Sequence, residues 1–154
     1  MGKFKVSEIK IVIDRREKAS WAFSIPTIPG TLSTGDYSIY GLEDYISIER
    51  KELGDLCNCL GAHRERFIRE LERAKAFEYF GLIIEADFKT IRKGLYTSLI
   101  KSGSIIGSLF TFEHRYGIHV HFAGSHAHGA EICEQLLTKY VLEKQKILEK
   151  IHNV

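Results

Sequence analysis

"GDYSIYGLEDYISIERKELGD" occupies residues 35–55, and its pairing decides the fold. Two short stretches, about 36–40 and 45–50, alternate apolar and polar residues around "GLED". That is the pattern of a β-hairpin. If Tyr40 and Tyr45 close the loop as a cross-strand pair, the paired numbers sum to a constant. Ser38 then faces Ser47, and Asp36 faces Glu49. Directly opposed residues share a face, with Cβ atoms roughly 4.5–5.5 Å apart. Strand alternation adds Lys51 to the face of Glu49, while Ile46, Ile48 and Arg50 point the other way.

Two carboxylates held that close repel. A divalent cation between them converts the repulsion into attraction. Mg²⁺ takes oxygen ligands and usually only one or two protein carboxylates, keeping several waters. Such an ion can polarise a phosphoryl oxygen and activate a water. A neighbouring lysine can orient or deprotonate that water, or neutralise charge developing on phosphorus. The set Asp36, Glu49 and Lys51 therefore suits metal-assisted phosphodiester hydrolysis. Taken alone, the same charges could be a solvated strand face with a cross-strand ion pair.

Around the hairpin, "EIKIVID" (8–14) alternates and predicts a strand. Residues 15–34 hold both prolines and read as loop. "HRERFIRELERAKAFEYF" (63–80) predicts a helix with Phe67, Ile68, Leu71 and Ala74 inward. "GLIIEA" (81–86) reads as a buried strand, 97–115 as a helix despite Gly103 and Gly107, and "GIHVHFAG" (117–124) as another strand. A final helix, about 127–151, is expected to bury Cys133, Leu136, Leu137, Tyr140, Val141, Ile147, Leu148 and Ile151. Strands alternating with helices imply a mixed sheet covered on both faces.

The chain has 154 residues, 44% hydrophobic and 27% charged, which suits one domain with a sizeable core. Its net charge of +2 gives no global nucleic-acid signal, so any such contact must rest on local charge. No apolar run reaches the length of a membrane span, and "MGKFKVSEIK" lacks the apolar stretch of a secretion signal. Cys57, Cys59 and Cys133 are odd in number and point to buried thiols in a reducing cytoplasm, at the nucleoid if the source is prokaryotic.

The charged hairpin closely resembles the signature of the XPF family of structure-specific endonucleases: Gly35-Asp36, then Glu49-Arg50-Lys51, then Asp55. "VIDRRE" (12–17) resembles the family's upstream motif through Asp14, Arg16 and Glu17, and "LSTGDYSI", "LIIEA" and "YGIHVHFAG" fall in the family's order. The resemblance covers almost the whole chain. It implies an α/β, restriction-endonuclease-like fold of the PD-(D/E)XK superfamily, with a mixed central sheet flanked by helices, as one domain over 1–154. It also implies Mg²⁺- or Mn²⁺-dependent cleavage of DNA near branch points, in repair or recombination. Asp36 and Glu49 are the implied metal ligands, with Asp14 and Asp55 as further acidic members. Lys51 is implied as base or water-positioning group, Arg16 and Arg50 as ordering the carboxylates or meeting phosphate, and Glu17 as a further site member. The family's usual helicase and helix-hairpin-helix modules are not in the sequence, so a homodimer partner or a separate DNA-targeting protein is expected to supply grip. A non-catalytic partner subunit and a nuclease for linear or damaged DNA are the rival readings.

Two further clusters stand out. Arg66, Arg69 and Arg73 make a stripe on the helix at 63–80, able to meet DNA phosphates, while Glu65, Glu70 and Glu72 interleave and could pair with them instead. His114, His119, His121, His126 and His128 gather late in the chain, but without a carboxylate or cysteine at zinc-ligand spacing.

Overall fold

The structure is a computed structural model that describes residues 5–153. Its centre is a six-stranded mixed sheet in the order β2-β1-β3-β4-β5-β6. Strand β1 (Ile11–Asp14) is buried along nearly its whole length, as its run of branched residues demands. It starts later than the alternation suggests. Val6–Glu8 forms a 3-10 turn, with the Ile9 amide donating to the Val6 carbonyl at 3.1 Å.

The supposed loop 15–34 contains strand β2 (Thr27–Gly30), which runs parallel to β1 with Asp14 beside Gly30. It lies at the sheet edge, where Pro29 forfeits no ladder bond on its outer side. A Cβ on Gly30 would meet Val12 Cγ1 at 2.7 Å, so the glycine permits this close approach.

Strands β3 (Tyr37–Ile39) and β4 (Ile46–Lys51) pair antiparallel with Tyr37 opposite Ile48. That is the register read from the sequence, and one step outward brings Asp36 opposite Glu49. Gly35 makes the approach possible: at φ +90°, its Cβ would lie 2.0 Å from Ser47 Oγ.

Strand β4 pairs parallel with β5 (Tyr79–Ile84), and β5 with β6 (His119–Phe122). The carboxyl ends of β1, β4, β5 and β6 therefore share one edge of the sheet, and the start of β3 joins them. Ligands of open α/β sheets bind at such carboxyl edges.

Helices cover both faces. Helix α1 (Leu53–Leu60) follows β4 directly, an element that the sequence reading omitted. Helix α2 is Arg64–Ala74, shorter than the expected 63–80, because Phe77 packs beneath the sheet and Tyr79 and Phe80 belong to β5. Helix α3 (Phe88–Arg92) was also unforeseen; α4 is Ser102–Tyr116 and α5 His126–His152. Helices α1 to α4 close over one face around Leu56, Phe67, Leu71, Leu82 and Phe112. Each such burial contributes about 1.5–3 kcal/mol.

The opposite face packs Ile46, Ile48 and Ile83 against Trp21 and the first half of α5 through Cys133 and Leu137. Trp21 stacks on Tyr37 with ring centroids 4.9 Å apart. Gly129 lets the helix ride over that indole, since a Cβ there would meet Trp21 Cζ2 at 2.7 Å. The second half of α5 departs from expectation: Ile147, Leu148 and Ile151 are exposed because the helix runs past the sheet. The three cysteines are free and buried. Among the described residues no helix is long and apolar enough to cross a membrane.

Candidate active site

Asp14, Asp36, Glu49 and Lys51 converge at the carboxyl edge of the sheet. Asp36 sits at the mouth of the hairpin, its amide bonded to the Ile48 carbonyl at 2.8 Å and its Oδ2 accepting from the Arg50 amide at 2.8 Å. Glu49 lies one residue before Arg50 and reaches hydrogen-bonding distance of Asp36. Both are raised acids. Burial is the main cause, and for Asp36, pushed up to about 6, the charge of Glu17 adds to it. Glu49 stands well above the usual carboxylate range through burial and then through Asp36.

Lys51 ties the cluster to the helices. Its Nζ is 3.0 Å from Glu49 Oε1 and 5.6 Å from the centre of the Phe67 ring on α2. Burial is the largest influence and lowers the lysine pKa, but Glu49, Cys59 and Glu70 together outweigh it and raise Lys51 above its usual value. An ammonium so held can position a group and neutralise charge.

Asp14 plays a different part. Its Oδ1 accepts from the Arg16 amide and Nε, both at 2.9 Å. Its Oδ2 accepts from Arg16 Nη2 at 3.0 Å and from the Leu32 amide at 2.8 Å. The Arg16 hydrogen bond is the main force lowering its pKa to about 2. The carboxylate implied as a metal ligand is thus already occupied by donors and pins the 30–34 turn beside Asp36. Arg16 carries the charge outward and feels Asp36 and Glu49 as well as Asp14.

Glu17 is the odd group. Its Oε1 is 3.8 Å from Arg50 Nη1, while its Oε2 is buried with no hydrogen-bond partner among the described residues. Arg50 itself turns to the far face, as the alternation predicted. There its Nε binds Glu85, its Nη1 donates to the Ala19 carbonyl at 2.9 Å, and its guanidinium lies 5.5 Å from the Trp21 ring centre. Only its backbone amide serves the carboxylate cluster. Asp55 is exposed on the first turn of α1, with no hydrogen bond or ion pair, to Lys51 or any other residue, among the described residues.

Glu70 was missed. It stands on α2 three residues after Phe67, within hydrogen-bonding reach of Glu49. Residues three apart share a helix face, so the Phe67 core position was a usable signal, hidden by the alternating charges around it. Arg73, one turn on, donates from Nε to Thr34 Oγ1 at 3.1 Å and fastens α2 over the site. Arg66 and Arg69 are exposed, and neither makes an ion pair among the described residues, so the alternative of intrahelical pairing is not realised for them. Of the histidines, His119 stacks on Tyr79 at 4.2 Å and His121 Nε2 is 3.0 Å from the Tyr79 hydroxyl. His126 Nδ1 lies 3.3 Å from Glu85.

The donor set fits a hard cation. Two facing acids are held above their normal pKa, and a third carboxylate has an orphaned oxygen at the same edge. Among the described residues no three or more His, Cys, Asp or Glu are arranged as a metal cage.

A mixed sheet thus carries two acids and a lysine at its carboxyl edge. Residues 13–136 match the family described as "ERCC4 domain", and the chain belongs to that family, the one whose XPF-type nuclease signature the hairpin resembles. Its fold is similar to that of XPF from Aeropyrum pernix, with a TM-score of 0.66 and 23% identity over 83% of this chain and 59% of that chain. It is also similar to XPF from Aeropyrum pernix in complex with DNA, with a TM-score of 0.65 and 22% identity over 88% of this chain and 66% of that one. The chain thus spans under two thirds of these relatives. No curated protein matches it.

Proposed function

We propose that this domain is a divalent-metal-dependent DNA endonuclease that acts beside branch points. The observation that carries this reading is the facing pair Asp36 and Glu49, two raised acids with the Lys51 ammonium 3.0 Å from one of them. Asp36 and Glu49 would hold Mg²⁺ or Mn²⁺, which when bound polarises a phosphoryl oxygen and acidifies a water. Lys51 orients the attacking water and offsets charge building on phosphorus. Asp14 and Arg16 keep the 30–34 turn against Asp36, and the outward guanidinium of Arg16 meets a phosphate. Glu17 and Glu70 set the local field, and the Arg50 amide aims Asp36. Arg66 and Arg69 contact the flanking duplex. A homodimer through the exposed end of α5, and a separate DNA-targeting protein, belong to the same proposal.

The test uses labelled flap, fork, junction and linear duplexes with Mg²⁺ or Mn²⁺, and Asp36→Asn as control. Cutting by the wild type that the variant lacks supports the reading. No cutting, or equal cutting by both, overturns it. Cutting that favours linear duplex shifts the substrate and leaves the chemistry.

A further inference from the structure

Between Phe88 and Phe112 the chain has no aspartate or glutamate, although it carries Lys89, Arg92, Lys93 and Lys101. Elsewhere acids and bases mix, so this segment is a positive island in a nearly neutral protein. It holds α3, the loop 93–101 and most of α4. All four cations are exposed, and Arg92, Lys93 and Lys101 have no carboxylate partner among the described residues.

Two leucines rise from the same loop. Leu95 is 63% exposed and Leu99 fully so. A single exposed leucine needs no explanation. Here both stand on a loop that is held in shape: the Tyr96 hydroxyl donates to the Ile100 carbonyl at 2.6 Å, the Ile100 amide donates to Ser98 Oγ at 3.2 Å, and Tyr96 and Ile100 pack on the core. The neighbouring side chains turn inward while the leucines stay in water.

The loop also stands at the chemical edge of the sheet. A cleft of about 500 Å³ lies between residues 95–98 and the start of α1, Leu53 and Gly54, which follow Lys51 along the chain. The Glu85 amide bonds to the Lys51 carbonyl at 2.8 Å, so the segment entering α3 begins beside the catalytic strand.

We infer that the loop 93–101 is a branch-reading wedge: Arg92, Lys93 and Lys101 grip phosphates, and Leu95 and Leu99 press on the exposed end of a base stack where duplex DNA opens. Charge complementarity selects the occupant, since four exposed cations in a segment without acids match a polyanion. Leucine wedges enter only where bases are unstacked or can be unstacked cheaply. A continuous duplex offers phosphates but no free stack end, so the leucines discriminate and the cations do not. This rests on the nuclease reading for its biological use, but binding tests it separately.

The experiment measures binding of the full chain, in Ca²⁺ buffer, to a fork carrying 2-aminopurine at its junction and to a continuous duplex of equal length. Leu95→Ser/Leu99→Ser should fold normally, as both sites are exposed. It should lose about tenfold in fork affinity, keep its duplex affinity, and lose the 2-aminopurine change seen with wild type. Lys93→Ala/Lys101→Ala should weaken both DNAs alike and lower the salt slope by about 2. Equal fork affinity for wild type and the leucine variant, or no fork preference in the wild type, overturns the wedge. A wild type that binds by this pattern yet cuts nothing removes the nuclease reading and keeps the wedge. A leucine variant that keeps wild-type fork preference while both proteins cut does the reverse.

Discussion

Asp36 and Glu49 face each other across the β3–β4 hairpin, and both are held above the normal carboxylate pKa. The pairing that places them is fixed by Tyr37 opposite Ile48. Burial on one side and like charge on the other leave the metal-free site under electrostatic stress, and that stress has a pH signature.

Asp36 rises from 3.8 to about 6 on folding, so the folded state holds the extra proton. Its contribution is therefore fully present below pH about 4 and is lost as pH climbs through about 6. Thermal unfolding without metal should show this decline, worth at most about 3 kcal/mol at 1.36 kcal/mol per unit. Asp36→Asn should make it shallower and leave the share that buried Glu49 contributes. Mg²⁺ or Mn²⁺ should raise the Tm of the wild type at pH 8 and leave that of the variant unchanged.

Asp14 behaves oppositely. Arg16 lowers its pKa to about 2, so its support is present above pH about 4 and fades as pH falls towards 2. Asp14→Asn should cost about 1–3 kcal/mol at pH 7 in urea unfolding, because the Leu32 amide and the Arg16 fork lose a charged acceptor. The gap from wild type should close near pH 2.

Gly35 and Gly41 both have φ +90°, but a Cβ meets Ser47 Oγ at 2.0 Å only at Gly35. Gly41→Ala should cost about 1–2 kcal/mol, the strain of the left-handed backbone. Gly35→Ala should cost clearly more and displace Asp36. Denaturation midpoints read the first effect, and loss of metal-dependent stabilisation reads the second.

Lys51→Met should cut the cleavage rate about 10²–10⁴-fold, with KM for DNA changed far less. Lys51→Arg should fail to rescue, since a forked guanidinium cannot occupy the point-charge position beside Glu49 and the Phe67 ring. A rate unchanged in either variant would remove Lys51 from the chemistry.

Arg66→Ala/Arg69→Ala should weaken binding to every duplex alike and lower the salt slope by about 2, leaving the single-turnover rate at saturation intact. Salt titrations by fluorescence anisotropy check this.

The hairpin register was legible because apolar residues alternate on both strands, although Tyr40 and Tyr45 lie outside them and the turn closes through the Leu42 carbonyl instead. The far-face position of Arg50 followed from the same parity. Strand β2 was not legible, since Pro29 and Gly30 argue against a strand unless its place at the edge is known. Helix α2 was read too long because Phe77, Tyr79 and Phe80 continue a helix-like apolar spacing, although the aromatic pair at 79–80 serves β5. Helix α1 was hidden by Gly54 and by Glu52, an N-cap residue with no side-chain cap bond. Ile147, Leu148 and Ile151 looked like core because periodicity reports an apolar stripe, not whether a sheet lies beneath it. Glu70 and the Trp21–Glu85–Arg50 contacts required tertiary packing, which no local pattern encodes.

The direction of strand β4 has a wider consequence. Its end at Lys51 carries the charges, while its start lies by the hairpin turn, where Tyr40 and Tyr45 are exposed and Tyr40 lines an apolar hollow with Ile39, Leu42 and Leu148. Six residues at about 3.3 Å each separate the two ends by roughly 20 Å. The domain thus has two poles, one ionic and one greasy, joined by a rigid strut. A substitution at the greasy pole therefore lies a strand's length, roughly 20 Å, from the ionic one.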